Sequence, residues 1–148
     1  MPIPAFTSDG LLPEGIHDGT LEELRERFGS FQGTDRRCRL FELLEAFVRD
    51  AKASGLVKAV IVDGSFVTTL DAPNDVDLIV VLRPDHDFRA SLRPLAYNVV
   101  STQQVRRIYR IDALIGQEGQ QELDNHIEFF SQIRSSAENH KGMVRVIL

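Results

Sequence analysis

Residues 57–82, which read VKAVIVDGSFVTTLDAPNDVDLIVVL, decide the fold of this chain. Two apolar runs, at 57–62 and 76–82, bound the stretch. Runs that are nearly continuously apolar, rather than alternating, are typical of strands buried on both faces of a sheet. The connection between the two runs is too short for the usual helical crossover between parallel strands. The sequence therefore predicts a mixed β-sheet with these two strands as central strands.

Asp77 is the most informative residue of the stretch, because it lies inside the second apolar run. An isolated carboxylate in such a run is costly to bury, so it is usually paired, hydrogen-bonded or bound to a metal ion. Asp75 lies two residues earlier, and side chains two apart on a strand point to the same face. Two carboxylates that converge in this way can bind divalent ions. The alternatives are a buried ion pair of Asp77, for example with Lys58, and a simple turn at residues 73–75.

A third acidic residue, Asp112, lies in the apolar segment Ile111-Asp112-Ala113. We expect this segment to belong to a third strand at residues 108–114. If that strand neighbours residues 76–82, Asp112 comes within reach of the other two carboxylates. Hard oxygen ligands of this kind favour Mg²⁺ or Mn²⁺. The alternative is an acidic residue at a strand edge that pairs with Arg110 or another arginine.

Gly64 and Ser65 follow the first of the two central strands. A glycine at the end of a strand lets the backbone approach a ligand closely. The serine hydroxyl and neighbouring N–H groups can hold phosphate oxygens. Because Gly-Ser is also common in ordinary turns, this pair indicates a phosphate site only in combination with the aspartates that follow it.

Together these segments resemble the active-site pattern of the DNA-polymerase-beta-like nucleotidyltransferase superfamily. That pattern is a hydrophobic residue, Gly, and Gly or Ser, then a spacer, Asp-hydrophobic-Asp-hydrophobic, and a later acidic residue inside an apolar strand. The chain has DGS at 63–65, nine intervening residues, DVDL at 75–78, and IDA at 111–113. Residues 9–17 and 141–145 also resemble the opening and the ending of a group of small stand-alone bacterial nucleotidyltransferase-like proteins. The resemblance therefore covers nearly the whole chain.

The resemblance implies metal-dependent transfer of a nucleoside monophosphate from an NTP to an unknown acceptor, which is a small molecule, a protein or RNA. It implies that Asp75 and Asp77 hold both metal ions, and that Asp112 binds the catalytic ion and helps to deprotonate the acceptor. Mg²⁺, or Mn²⁺, is the implied cofactor. Gly64 and Ser65 are the implied ligands of the NTP phosphates. Positioning and charge neutralisation dominate such phosphoryl transfer.

Two features of the chain depart from the family pattern. Asp63 replaces the usual apolar residue before Gly64. The minimal nucleotidyltransferases of toxin–antitoxin systems commonly carry an arginine shortly after Gly-Ser, whereas this chain has Phe-Val-Thr at 66–68. The details of their nucleotide binding therefore do not transfer directly.

A second function class is a noncatalytic interaction protein that keeps the fold, such as an antitoxin-like or phage-defence partner. A third, an aminoglycoside-type modifying enzyme, would need acceptor-binding structure for which 148 residues leave little room. For the same reason, we expect a homodimer or a protein partner to present the acceptor.

The rest of the chain predicts helices around the sheet. Thr20-Leu21-Glu22-Glu23 has the form of a capping box, and the short helix that follows ends at Gly29. Further helices are expected from residue 34 or 35 to Gly55, within 87–104 with an interruption at Pro94, and at 118–134, followed by a last strand at 143–148. The expected fold is one domain over residues 1–148 of the α/β (α+β) class, with a mixed sheet of about four strands. Residues 1–29 are expected to form an arm and a short helix.

The composition is typical of a soluble globular protein, with 43% hydrophobic and 26% charged residues. A net charge of −5 disfavours broad nonspecific binding to nucleic acid or to an anionic membrane. No apolar run approaches the ~20 residues needed to span a bilayer. The single cysteine, Cys38, fits a reducing cytoplasm. The arginine clusters at 36–39 and 106–110 are interpreted as solvated faces.

Overall fold

The computed structural model describes residues 3–30, 34–70, 72–133 and 136–148. Its helices are α1 (Leu21–Phe28), α2 (Arg36–Ser54), α3 (Pro94–Val100), α4 (Thr102–Tyr109) and α5 (Gln121–Ser131). Its strands are β1 (Gly15–Asp18), β2 (Val57–Asp63), β3 (Asp77–Leu82), β4 (Asp112–Gln117), β5 (Gln132–Ile133), β6 (Ser136–His140) and β7 (Gly142–Ile147). A 3₁₀ turn, Ser65–Val67, follows β2.

Five strands form one mixed sheet in the order β1-β7-β2-β3-β4. β2 runs antiparallel to both of its neighbours, β3 and β7. β1 pairs parallel with β7, and β4 pairs parallel with β3. β5 and β6 form a separate antiparallel pair. The predicted α/β class and the mixed sheet are confirmed, with five strands in the sheet instead of about four.

The additional strand is β1, which the sequence placed in an arm. Its four residues, GIHD, show no alternation of apolar and polar side chains that would predict a strand. It forms because β7 offers a parallel partner, with Asp18 beside Arg145 in the register. The Arg145 guanidinium donates to both carboxylate oxygens of Asp18, at 2.6 and 3.0 Å. A pairing with the far end of the chain thus creates an element that local sequence does not predict.

Both faces of the central strands are buried, which explains why their sequences are continuously apolar. On one face, Val60 of β2 belongs to the main core, together with Phe47 of α2 and Val105 of α4. On the other face, Ile61 belongs to a smaller core with Leu123 of α5. Helices therefore cover the sheet on both sides, and the strand ends remain as the place where polar groups can gather.

The helix starts and stops follow the local signals in the sequence. The Thr20 hydroxyl accepts from the Glu23 N–H and the Glu23 carboxylate accepts from the Thr20 N–H, so the predicted capping box is confirmed. α2 ends at Gly55, which adopts the left-handed conformation. α3 begins at Pro94, where the missing N–H costs no helical hydrogen bond. Among the described residues, no helix is long and apolar enough to cross a membrane.

The predicted strand at residues 108–114 is wrong in its first half. α4 continues to Tyr109, Arg110 has a positive φ of 57°, and β4 begins only at Asp112. The helix prevails because Val105 and Tyr109, which are four residues apart, are both buried on its inner face. The arginines just before β4 therefore belong to a helix and its cap, not to a strand.

Candidate active site

Three aspartates lie side by side at one end of the sheet. The register pairs Asp63, the last residue of β2, with Asp77, the first residue of β3. It also pairs Asp77 with Asp112, the first residue of β4. Asp75 lies just before β3. The sheet therefore brings together the three carboxylates that the sequence singled out and adds a fourth, Asp63.

A pocket of about 510 Å³ opens at this end of the sheet. It is lined by all five residues that the sequence singled out, which are Gly64, Ser65, Asp75, Asp77 and Asp112. Its lining also includes Leu11, Thr68, Asn74 and Lys141. Sequence reasoning missed these four. Leu11 and Lys141 are distant in the sequence, and only the fold brings the N-terminal arm and the residue before β7 to the Gly-Ser turn. Thr68 and Asn74 lie between Ser65 and Asp75 in the sequence, but their uncharged side chains gave no signal of a site.

The conformation of Gly64 reflects the close approach of Asp77. Its φ is 86°, a left-handed conformation that favours glycine. A β-carbon at this position would lie 2.6 Å from the Asp77 Oδ2 atom. In the 3₁₀ turn that follows, the Val67 N–H donates to the Gly64 carbonyl oxygen at 3.2 Å. Gly64 thus lets the backbone of the turn pass directly beside a candidate metal ligand.

A buried arginine holds the loop at residues 65–70 from the core side. Arg37 is 1% exposed, and its guanidinium donates to the carbonyl oxygens of Phe66, Thr68 and Leu70, at 2.6 Å for Phe66 and 2.8 Å for Thr68. It also donates to the carbonyl oxygen of the last residue of α1, at 3.2 Å. The interpretation of the first arginine cluster as a solvated face is wrong for Arg37, because the inward-facing carbonyls of the loop require a buried donor.

Arg106 of α4 bridges two of the candidate metal ligands. Its Nη1 atom lies 3.1 Å from the Asp112 Oδ1 atom and 3.5 Å from the Asp75 Oδ1 atom. The three side chains are between 43% and 55% exposed, so water screens these ion pairs. Asp112 thus has an arginine partner, as one interpretation of the sequence expected, but that partner is Arg106 and not Arg110.

The donor chemistry of the site fits a magnesium ion. Asp75, Asp77 and Asp112 supply carboxylate oxygens, which are the ligands that Mg²⁺ takes in proteins, and two of them already share the positive charge of Arg106. In their present arrangement, no three acidic, histidine or cysteine side chains of the described residues form a group that could hold a metal ion. A bound ion would compete with the Arg106 guanidinium for Asp75 and Asp112.

A buried ion pair lies beside the Gly-Ser turn. Asp63 is 2% exposed, and its Oδ1 atom lies 3.5 Å from the Lys141 Nζ atom. Burial raises the pKa of Asp63 to about 6, although the nearby Lys141 ammonium lowers it. The lysine that the sequence offered as a partner for Asp77, Lys58, instead lies 2.6 Å from Glu118. The cation beside Asp63 is thus Lys141, the residue that directly precedes β7.

A model of the family of unknown function DUF6932 matches residues 4–147. The chain belongs to this family. No curated protein matches the sequence at a significant level. Among solved structures, the DUF6932 chain is similar to a "putative nucleotidyltransferase" from Sulfolobus solfataricus, with 16% sequence identity and a TM-score of 0.36. That match covers 62% of this chain and 81% of the Sulfolobus protein.

Proposed function

We propose that this chain is a metal-dependent nucleotidyltransferase, which moves a nucleoside monophosphate from an NTP to an oxygen atom of an acceptor and releases pyrophosphate. The observation that carries the proposal is the convergence of a Gly-Ser turn and three aspartates in one pocket. Gly64, Ser65, Asp75, Asp77 and Asp112 are separated by up to 48 positions in the sequence, yet all of them line the same 510 Å³ pocket. A phosphoryl-transfer site needs this combination of groups that donate hydrogen bonds to the phosphates and carboxylates that hold the metal ions.

The three aspartates are proposed to hold Mg²⁺ or Mn²⁺. When bound, the ion would neutralise negative charge on the phosphate oxygens. Asp75 and Asp77 would be its main ligands, while Asp112 would also accept a proton from the attacking hydroxyl or phosphate group of the acceptor. Asp112 is suited to this task because it is half exposed at the pocket, where an acceptor can reach it.

The Gly-Ser turn is proposed to bind the NTP phosphates. Within the described residues, the Ser65 hydroxyl has no hydrogen-bond partner, so it is available to a phosphate oxygen. Gly64 packs closely on Asp77, so the backbone that leads into Ser65 passes next to a candidate metal ligand. Phosphate and metal would therefore be bound by adjacent groups.

A larger cavity of about 730 Å³ lies between the start of α4 and the end of β4. It is lined mainly by glutamine, serine, threonine and apolar residues, and Glu122 is the one charged residue among the described residues of its lining. A site with so little charge offers no means of neutralising a triphosphate.

The acceptor is proposed to arrive on a second copy of the chain or on a protein partner, because the 148-residue chain has little room to enclose it.

Asp77→Asn tests the proposal, because it keeps the shape of the side chain and removes its charge. In the metal-free protein, the loss of one of several crowded carboxylates should leave stability unchanged or raised. Mn²⁺ should raise the melting temperature of the wild type by mass action, but not that of the variant. Isothermal titration with each of the four Mg–NTPs should likewise show binding only to the wild type.

The exposed Asp85→Asn variant is the matched control for charge, and it should behave as the wild type does. A marked loss of stability in Asp77→Asn, together with no effect of Mn²⁺ on the wild type, would refute the proposal. That outcome would indicate a purely structural carboxylate.

A further inference from the structure

We propose that Lys141 is a phosphate-binding residue of the same pocket, and that it supplies the positive charge which the Gly-Ser turn lacks. This inference rests on the proposed function, and it assigns a ligand contact to a residue that lies 76 positions after Ser65. The contact would be made to a polyphosphate group by the ammonium of Lys141.

The charge of the pocket requires such a residue. Of the described residues that line the pocket, only Lys141 is basic, whereas Asp75, Asp77 and Asp112 are acidic. A polyphosphate would be repelled by the three carboxylates unless cations stood between them. A metal ion would neutralise part of this negative charge, and a basic side chain would neutralise the remainder.

The three arginines near the pocket cannot take this role without breaking existing contacts. Arg36 donates to the Pro73 carbonyl oxygen at 3.4 Å and to the Oδ1 atom of the pocket residue Asn74 at 3.3 Å. Arg37 is buried and donates to three carbonyl oxygens of the loop at residues 65–70. Arg106 is held between Asp75 and Asp112. Lys141 remains as the basic group that faces the pocket.

The backbone around Lys141 is firmly placed. The Lys141 N–H donates to the Ser131 carbonyl oxygen at 2.8 Å, and the Gly142 N–H donates to the Leu12 carbonyl oxygen at 3.0 Å. A β-carbon on Gly142 would lie 2.0 Å from the Pro13 carbonyl oxygen, so the strand start and the N-terminal arm are in tight contact. The side chain therefore starts from a fixed point, and ordering it on a ligand costs only its own rotamer freedom.

The ammonium of Lys141 has donors to spare. A lysine carries three N–H donors, and the ion pair with the Asp63 Oδ1 atom is long, at 3.5 Å. The Lys141 side chain is 20% exposed while that of Asp63 is 3% exposed, so the lysine spans from the buried carboxylate to the open pocket. Lys141 can thus stay beside Asp63 and still donate to a phosphate oxygen.

The contrasting explanation is that Lys141 serves only to neutralise Asp63. Lys141→Met alone cannot separate the two roles, because it leaves a buried carboxylate without a cation and lowers stability. The double variant Asp63→Asn/Lys141→Met removes both charges and leaves a neutral pair. Asp63→Asn alone removes the structural need for the lysine and keeps its ammonium.

The experiment is isothermal titration of the folded variants with magnesium tripolyphosphate, a probe that carries the phosphates without a base or sugar. We expect Asp63→Asn to bind as tightly as the wild type or more tightly. We expect Asp63→Asn/Lys141→Met to bind about tenfold more weakly, as the loss of a charge-assisted hydrogen bond predicts. Lys58→Met, which also removes one lysine charge but lies outside the pocket, should bind as the wild type does.

Two outcomes would overturn the inference in distinguishable ways. Equal binding by the wild type and by the folded double variant would show that Lys141 is structural, and would leave the proposed function intact. Binding of neither tripolyphosphate nor any Mg–NTP by the wild type would refute the proposed function, and the role of Lys141 with it.

Discussion

The inner wall and the outer rim of the pocket use the same pairing of charges in different surroundings. We use the name inner wall for Lys141, which lines the pocket, together with two buried residues that contact the lining, Asp63 and Arg37. Here the cations lie against buried oxygens, and the Asp63 side chain is 3% exposed. On the outer rim, Arg106 pairs with Asp75 and Asp112, and all three are about half exposed. A buried charge must keep its partner, whereas an exposed pair can exchange its partner at little cost. The inner wall therefore holds its charges in fixed places, and the rim is the side of the pocket where ion pairs can exchange partners.

The largest expected effect comes from the inner wall. Arg37→Met should lower the free energy of unfolding by about 4 kcal/mol or more, because several buried carbonyl oxygens lose their donor at once. Chemical denaturation at neutral pH measures this loss. Arg39→Met is the matched control, since Arg39 lies on the same helix but is 73% exposed in its pair with Asp35, and it should cost less than about 1 kcal/mol. Equal losses in the two variants would contradict the contrast.

A smaller effect on stability is expected from pH. Because the pKa of folded Asp63 is raised from 3.8 to about 6, the folded state holds a proton that the unfolded state has lost. This stabilisation of the folded state is complete below pH ~4 and is lost as the pH rises through about 6. It amounts to about 3 kcal/mol in total. Asp63→Asn cannot ionise, so it should gain about 3 kcal/mol relative to the wild type across this window.

Denaturation curves from pH 4 to 7 in the presence of a chelator measure this gain. The exposed Asp85→Asn variant should show no comparable trend relative to the wild type. A constant difference between Asp63→Asn and the wild type over the whole range would mean that Asp63 is not a buried, ionising group.

On the rim, the expected effect is on ion binding and not on stability. Arg106→Met should change the free energy of unfolding by less than about 1 kcal/mol. It should nevertheless tighten Mn²⁺ binding by about threefold to tenfold, because the guanidinium no longer competes for Asp75 and Asp112. Arg107→Met removes the same charge from the next position of α4, where the side chain contacts Gln104 instead. Titration followed by Mn²⁺ electron paramagnetic resonance should show that only the first variant binds more tightly.

The smallest effect is expected at Ser65, in the 3₁₀ turn that follows β2. Ser65→Ala should change stability by less than about 0.5 kcal/mol, because the hydroxyl makes no hydrogen bond within the described residues. Its affinity for magnesium tripolyphosphate should fall by about threefold to tenfold, which corresponds to one hydrogen bond. Ser91→Ala, in an exposed loop, controls for loss of a hydroxyl. Unchanged affinity in Ser65→Ala would remove the serine from the phosphate site.

The sequence predicted the rim much better than the inner wall. Asp75 and Asp77 are two residues apart at the start of an apolar run, and this spacing predicted that they lie together; both do line the pocket. Arg37 looks the same in the sequence as its neighbour Arg36, and only the packed loop decides which one is buried. Lys141 becomes part of the pocket because β7 lies beside β2 in the sheet, a pairing that no local pattern indicates. The roles of the aspartates in metal binding and catalysis stay predictions.

The pairing of β1 with β7 has a consequence for the stage of synthesis at which the pocket is completed. Asp18 and Arg145, which are partners in this pairing, are 127 positions apart in the chain. While the ribosome is still adding residues before β7, β1 has no strand to pair with and Leu12 has no Gly142 N–H to accept from. Contacts between residues so far apart in the sequence form more slowly than local contacts. A nascent chain that already carries every aspartate of the pocket would therefore lack a complete pocket until Lys141 and β7 have left the exit tunnel.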